Sequence, residues 1–296
     1  MMNKRQFIRE LVNELSANNL AIFAGAGLSV AAGFVDWKGL LKDLAEELDL
    51  NIDKEENDLI SLAQYYINEK QGNRSKINQI ILNEFSQQAV LTENHKILAR
   101  LPIDTFWTTN YDSMIENALK DAGKVVDIKH CIEQLPTSIH KRDVVVYKMH
   151  GDASLPNQTV LIKDDYEKFH LTRNDFFTAL RGDLLTKRFL FLGFSFSDPN
   201  IDYILSRIRS SYNENQKEHF CILRKVQKLP EENKADLKPS KYDKGRAYAA
   251  AVIFAFSCIF WSAYFQTQTT VTLMTDELVD LNVFGYKMPI TWLVSF

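Results

Sequence analysis

Four short segments combine glycine with residues that accept, donate or transfer protons. They are Gly25-Ala26-Gly27-Leu28-Ser29 with Gly33 beyond it, Thr108-Thr109-Asn110-Tyr111-Asp112, His150-Gly151-Asp152, and Gly193-Phe194-Ser195-Phe196-Ser197-Asp198-Pro199-Asn200. In the first, glycines without a Cβ let backbone amides and a helix amino terminus come close to a phosphate. It is neither a dinucleotide fingerprint, since Val30 stands where a third glycine belongs, nor a P-loop, since no Lys-Ser/Thr follows. A plain tight turn explains it equally well. In the second, Asn110 and Asp112 could present an amide and a carboxylate to one ligand, although both types are also ordinary helix caps. In the third, His150 beside a glycine could act as a general base near neutral pH. The fourth is a glycine and hydroxyl turn in which Asp198 and Asn200 are available as caps.

Each segment follows an apolar run that reads as a buried strand: Leu20–Ala24, Phe106–Thr109, Val144–Met149 and Phe189–Gly193, with a further run at Phe220–Leu223. Helical spacing is found at Phe7–Leu15, Trp37–Leu48, Asp58–Glu69, Ile77–Phe85, Asp112–Ala122, Asp175–Leu185 and Ile201–Tyr212. Apolar strands joined by helical crossovers predict an α/β fold whose parallel sheet is covered on both faces. All four segments then lie at the carboxyl ends of strands, where open parallel sheets bind ligands. The helices between Trp37 and Phe85 have no strand among them, which predicts a helical insertion at about 40–100.

At 296 residues the chain has room for one large α/β domain and an appendage. Its net charge of −3 offers no excess of positive charge for nucleic acid. Cys131, Cys221 and Cys258 lie far apart, excluding a dense disulfide framework and a paired C-x-x-C zinc site, so no metal site is expected and a reducing, cytoplasmic compartment fits. Cys131 and Cys221 read as small core residues, since neither has an evident base beside it. The amino terminus lacks the apolar core of a secretion signal. Residues 224–246 are densely charged, contain Pro230 and Pro239, and read as a linker. Residues 247–265 carry no charge and follow Lys241, Lys244 and Arg246, which predicts a transmembrane helix; a buried helix of an incomplete domain is the competing reading. Residues 266–296 form a tail of unassigned role that ends in an apolar stretch, as if a further domain or membrane segment were missing or lost.

The order of the four segments, Gly-Ala-Gly-x-Ser with Gly33, Thr-Asn-x-Asp, His-Gly, then a strand and Gly-x-Ser, resembles the sirtuin family over about Leu20–Leu223. The resemblance is strongest to a bacterial branch, the Thoeris A antiphage effectors, through stretches such as NDLISLAQYY, VVYKMHGD and FLGFSFSDPNIDYILSR. It implies a sirtuin-like Rossmann-type domain over 1–223 that hydrolyses NAD to ADP-ribose and nicotinamide during phage infection. By the same resemblance Asn110 positions the ribose or the attacking water, Asp112 holds the nicotinamide carboxamide and His150 accepts a proton. Gly25, Ala26, Gly27 and Ser29, with Gly33, would serve the diphosphate, and Gly193, Phe194 and Ser195 the adenosine ribose. NAD is then substrate, with no metal, a homo-oligomer is expected, and a signal-producing partner encoded nearby is implied.

Three departures qualify the resemblance. Protein-deacylating sirtuins carry a four-cysteine zinc module, whereas only Cys131 lies in the corresponding region, which counts against the rival reading of an NAD-dependent protein deacylase. Val35 replaces a common proline, leaving the cofactor contacts of Asp36 and Trp37 open. Residues 241–296 do not resemble the nucleotide-sensing domain usual in the branch, so activation by a cyclic ADP-ribose signal does not carry over. A non-catalytic NAD or ADP-ribose sensor is a second rival, for which both Asn110 and His150 would be superfluous.

Overall fold

The computed structural model describes residues 3–35, 37–50, 59–85, 89–196, 198–212 and 216–223, and two short strands at 282–283 and 286–287. The chain divides into two units, Met1–Arg224 and Lys225–Phe296. In the first, a six-stranded sheet is formed by β1 (Leu20–Ala24), β2 (Thr105–Thr108), β3 (Val126–Lys129), β4 (Val144–Lys148), β5 (Arg188–Leu192) and β6 (Phe220–Ile222). The order is β3-β4-β2-β1-β5-β6 and every pairing is parallel. In the second unit, the described residues are a two-stranded antiparallel ladder of β7 (Asn282–Val283) and β8 (Tyr286–Lys287).

Alternation along the strands divides the core. Leu20, Ile22 and Ala24 of β1 face a layer built by α1 (Lys4–Ser16), α6 (Glu93–Arg100) and α7 (Met114–Asp121), while Ala21 and Phe23 face α10 (Asn174–Thr186) and α11 (Pro199–Tyr212). Helical spacing does the same on the other side. Phe7, Leu11 and Leu15 of α1 meet the first layer, and Phe176, Leu180 and Leu184 of α10 meet the second. Asn3 starts α1, its Oδ1 accepting the Gln6 N–H at 2.8 Å.

The helical insertion forms its own apolar cluster from α3 (Trp37–Glu47), α4 (Leu59–Glu69) and α5 (Ser75–Phe85), joined by Tyr111, Leu161 and Ile162. It stops short of the expected boundary near 100, because Ala99 and Leu98 of α6 pack with the sheet. Strand β3 was not foreseen, and its composition explains why. As an edge strand reading Val-Asp-Ile-Lys it has no apolar run; Asp127 and Lys129 are buried as an ion pair of 2.8 Å. Among the described residues no helix is long and apolar enough to cross a membrane. The linker at 224–246, the span proposed at 247–265 and Cys258 lie outside the described residues.

The chain runs from β1 to β2, on to the edge strand β3 and back to β4, then crosses to β5 on the other side of β1, so the switch point lies between β1 and β5. There the two strand exits meet backbone to backbone. The amides of Gly25 and Gly27 donate to the carbonyls of Leu192 and Gly193, both at 2.9 Å. A Cβ on Gly25 would stand 2.5 Å from the Gly193 oxygen, and one on Gly193 would stand 2.4 Å from the Leu28 nitrogen. Gly193 also has φ +61°, a left-handed conformation that favours glycine.

Gly193→Ala should therefore lower stability by about 2 kcal/mol or more, a fall of ~5 °C in melting temperature for a unit of this size. Gly182, inside α10 with open space around its Cα, is the control: Gly182→Ala should raise stability by about 0.5–1 kcal/mol. Thermal denaturation of the two variants measures both, and equal melting would contradict the packing argument.

Candidate active site

Loops leaving β1 and β2 build a pocket lined by Ala26, Ser29, Phe34, Val35, Trp37, Leu40, Phe85, Thr109, Asn110, Tyr111 and Asp112. The geometry begins with Thr108, the last residue of β2. Its hydroxyl donates to the Ala24 carbonyl at 2.9 Å, tying β2 to the end of β1, and accepts the Asn110 N–H at 3.0 Å. That bond turns the Asn110 side chain toward α2 (Ala26–Val30), where its Nδ2 donates to Ser29 Oγ at 3.2 Å. Asp112 both caps and faces the pocket: Oδ1 accepts the Met114 N–H at the start of α7, leaving Oδ2 for a ligand. Capping and ligand binding are compatible here because a carboxylate has two oxygens.

The pocket is narrow, with a free volume of about 30 Å³. Phe34 and Phe85 lie 5.5 Å apart by ring centroid, and Phe85 meets Tyr111 edge-on at 5.7 Å, so aromatic rings form part of its wall. A nicotinamide-sized ring needs these side chains to part. Val35 and Trp37 line this pocket, while Asp36 lies outside the described residues.

His150 leaves β4 two residues on and is fully buried, though not in that pocket. Tyr166 of α8 (Lys163–Glu167) and Phe169 of α9 (Phe169–Thr172) meet its ring edge-on at 5.4 and 5.9 Å, and Asp198 Oδ2 lies 3.5 Å from Nε2. Burial lowers its pKa, Asp198 opposes that shift and Arg173 adds to it, so the ring is neutral and able to accept a proton. The backbone around it is fixed. The Gly151 amide closes a turn onto the Lys148 carbonyl with φ +93°, and the Arg173 guanidinium donates to the carbonyls of Met149, His130 and Gln158.

What joins the Asn110–Asp112 loop to the His150 loop is a lysine. Lys148 is fully buried; its Nζ donates to the carbonyls of Tyr111 at 3.1 Å and Asp112 at 2.6 Å and pairs with Glu116 at 2.9 Å and Asp152 at 2.5 Å. Burial would lower the ammonium's pKa, but Glu116 and Asp152 outweigh it and hold the group above the usual lysine value. Burial pushes Glu116 up, with Lys148 opposing. The segment VVVYKMHGD contained the clue: a lysine in an otherwise apolar central strand needs a counter-ion, and Asp152 stands four residues on.

The remaining expectations divide. Ala26 and Ser29 line the pocket, whereas Gly25, Gly27 and Gly193 are required by the contact between strand exits. Gly33 is exposed and does not line it; φ +100° accounts for the glycine there. Phe194 is buried among Phe23, Phe191 and Phe196, and Ser195 is exposed. Cys221 is exposed, correcting its reading as a core residue, because its position on edge strand β6 turns it outward; Cys131 is half-buried. Burial raises both thiols, which suits neither as a thiolate nucleophile. Among the described residues no group of three or more His, Cys, Asp and Glu could hold a metal ion.

Residues 104–243 match the family model of the SIR2-like domain, which takes in the Asn110, His150 and Gly193 segments. The chain carries a SIR2-like domain. It is 56% identical over 232 residues to the NAD(+) hydrolase ThsA of Bacillus cereus (strain MSX-D12), covering 78% of this chain and 48% of that protein. To the NAD(+) hydrolase ThsA of Acinetobacter baumannii (strain 532279) it is 55% identical over 229 residues, 77% of this chain and 47% of that one. A more distant relative, the defense-associated sirtuin 2 of Bacillus subtilis, is 25% identical over 227 residues, 74% of this chain and 22% of that protein. The chain spans about half the length of the curated ThsA proteins it matches. The six-stranded parallel sheet with helices on both faces is the Rossmann-type architecture expected of the SIR2-like domain.

Removing Lys148 from this domain strands two buried carboxylates. Lys148→Met should cost about 3–5 kcal/mol, whereas Lys148→Met combined with Glu116→Gln should cost less than the sum of the two single changes. Urea denaturation of the three variants tests the coupling; additive costs would mean that the lysine and Glu116 do not sense each other.

Proposed function

We propose that the SIR2-like domain hydrolyses NAD to ADP-ribose and nicotinamide as the effector of an antiphage defence. The reading is carried by the identity of 49–56% to four proteins named NAD(+) hydrolase ThsA over 76–78% of this chain. In this reading the bond between the nicotinamide nitrogen and the ribose anomeric carbon breaks with oxocarbenium character, and nicotinamide leaves with the bonding electron pair. Water attacks the same carbon. Asp112 Oδ2 accepts from the nicotinamide carboxamide, Asn110 orients the ribose or the water, and neutral His150 takes a proton from the water or a ribose hydroxyl.

The loop from Gly25 to Ser29 would lie along the diphosphate, with Ala26 and Ser29 nearest, and Gly193, Phe194 and Ser195 along the adenosine ribose. Parting of Phe34, Trp37 and Phe85 admits the nicotinamide ring. Consumption of NAD places the action in the cytoplasm; a tether at the uncharged stretch 247–265, assembly into a homo-oligomer and a signal-producing partner encoded nearby belong to the same proposal. Domain limits of 1–223, 224–246, 247–265 and 266–296 are proposed with it. A protein deacylase is disfavoured by the lack of a four-cysteine module in the sequence.

The test is direct. The full chain is incubated with NAD, and nicotinamide and ADP-ribose are followed by chromatography, with and without an acylated peptide. NAD loss without peptide is expected. His150→Gln and Asn110→Ala should each slow it by ~10²–10⁴ while leaving the protein folded by circular dichroism. Cleavage only in the presence of the peptide would point to deacylation instead, and a variant that is folded and fully active would remove that residue from the mechanism.

A further inference from the structure

His150 is held by shape on two sides and by charge on a third. Tyr166 and Phe169 fix the plane of the ring, and both of its nitrogens are buried without a hydrogen-bond partner among the described residues. The third side is Asp198, whose carboxylate is itself clamped. Its Oδ1 accepts the N–H groups of Asn200 at 2.9 Å and Ile201 at 3.1 Å at the start of α11, and its Oδ2 is thereby turned toward His150 Nε2 and the Tyr166 hydroxyl, each at 3.5 Å.

We propose that Asp198 is a positioning residue for His150, orienting the imidazole with its proton on Nε2 and supporting the imidazolium that forms when the ring accepts a proton. The inference rests on the reading of His150 as the general base. A carboxylate beside a ring N–H selects one tautomer and stabilises the charged ring, as in other carboxylate–histidine pairs. A helix cap needs only one acceptor oxygen, and the Asn200 and Ile201 amides already engage Oδ1. The cap thus leaves Oδ2 available to face His150.

The other charged and titratable groups facing the ring are few. Asp165 and Tyr166 come from α8, Arg173 from the segment before α10, and Asp198 from the loop before α11. Of these, Arg173 acts against protonation, while Asp198 and the lesser influence of Asp165 act in its favour. Removing the Asp198 charge leaves burial and Arg173 less opposed, so His150 should become harder to protonate. A base must be neutral to work. Its activity is lost as pH falls through its pKa, so a lower pKa moves the acid limb of the pH profile to lower pH.

Asp198→Asn separates the two roles, because asparagine is an equally good helix cap and has nearly the same shape but no charge. Nitrogen-15 NMR of the histidine-labelled full chain, with the His150 signals identified by their loss in His150→Gln, reads the ring directly. Wild type should show a single tautomer protonated on Nε2 at neutral pH. Asp198→Asn should show a mixture and take up its proton at lower pH. In NAD hydrolysis the variant should lose ~10-fold or more in kcat with KM little changed, and its acid limb should move down. Unchanged His150 tautomer and titration in Asp198→Asn would overturn the proposal. Should wild type not cleave NAD, the functional reading fails by itself, and the NMR comparison still decides whether Asp198 governs the ring.

Discussion

A single buried ammonium organises the candidate site. Lys148 brings together two segments almost forty residues apart in sequence by bonding to the carbonyls of Tyr111 and Asp112 on one side and the Asp152 carboxylate on the other, with Glu116 beneath. An isolated charge at this depth would be expelled or neutralised, so the lysine is tolerable only when all its partners are in place. That requirement makes the arrangement all-or-none. The loop with Asn110 and Asp112 and the loop with His150 cannot drift apart without leaving a buried cation or two buried carboxylates uncompensated.

The glycine contact at the β1–β5 switch point is the complementary constraint. Where Lys148 pulls segments together through charge, Gly25, Gly27 and Gly193 let them touch by having no side chain to hold them apart. The amides of Gly25 and Gly27 are spent on the β5 exit, to the carbonyls of Leu192 and Gly193. Those two N–H groups are therefore not free to cradle a phosphate. What lines the pocket on this loop is Ala26 and the Ser29 hydroxyl, already linked to Asn110. The glycines thus serve ligand binding indirectly, by setting how near the first loop lies to the second.

The sheet was largely legible because parallel strands buried on both faces are continuous apolar runs; Leu20–Ala24 matches β1 residue for residue, and β2, β4, β5 and β6 lie within a residue or two of expectation. Legibility failed where polar residues are buried. Strand β3 escaped because Asp127 and Lys129 neutralise each other inside the protein, and at Lys148 only Asp152 stands near in sequence, while Glu116 and the Tyr111 and Asp112 carbonyls come from a distant segment. Asn110 and Asp112 were found together and are together. His150 was found, yet it lies in an enclosure of Tyr166, Phe169 and Asp198 apart from their pocket. Spacing in sequence records which loops converge on one edge of the sheet, and it does not record which side chains share one cavity there.

The narrow pocket and the helical insertion are parts of one mechanical problem. Tyr111, between the two polar residues of the site, belongs to the apolar cluster of α3, α4 and α5, and its hydroxyl donates to the Val160 carbonyl at 2.6 Å. Phe85 at the end of α5 and Trp37 at the start of α3 line the same pocket. Parting Phe34 from Phe85 to admit a ring thus disturbs the packing of the insertion, while Lys148 holds the Tyr111 and Asp112 backbone in place. On the proposed reading, admitting a ring costs apolar contacts in the insertion, and the ligand offsets that cost through Ser29, Asn110 and the second oxygen of Asp112 on the side held by Lys148.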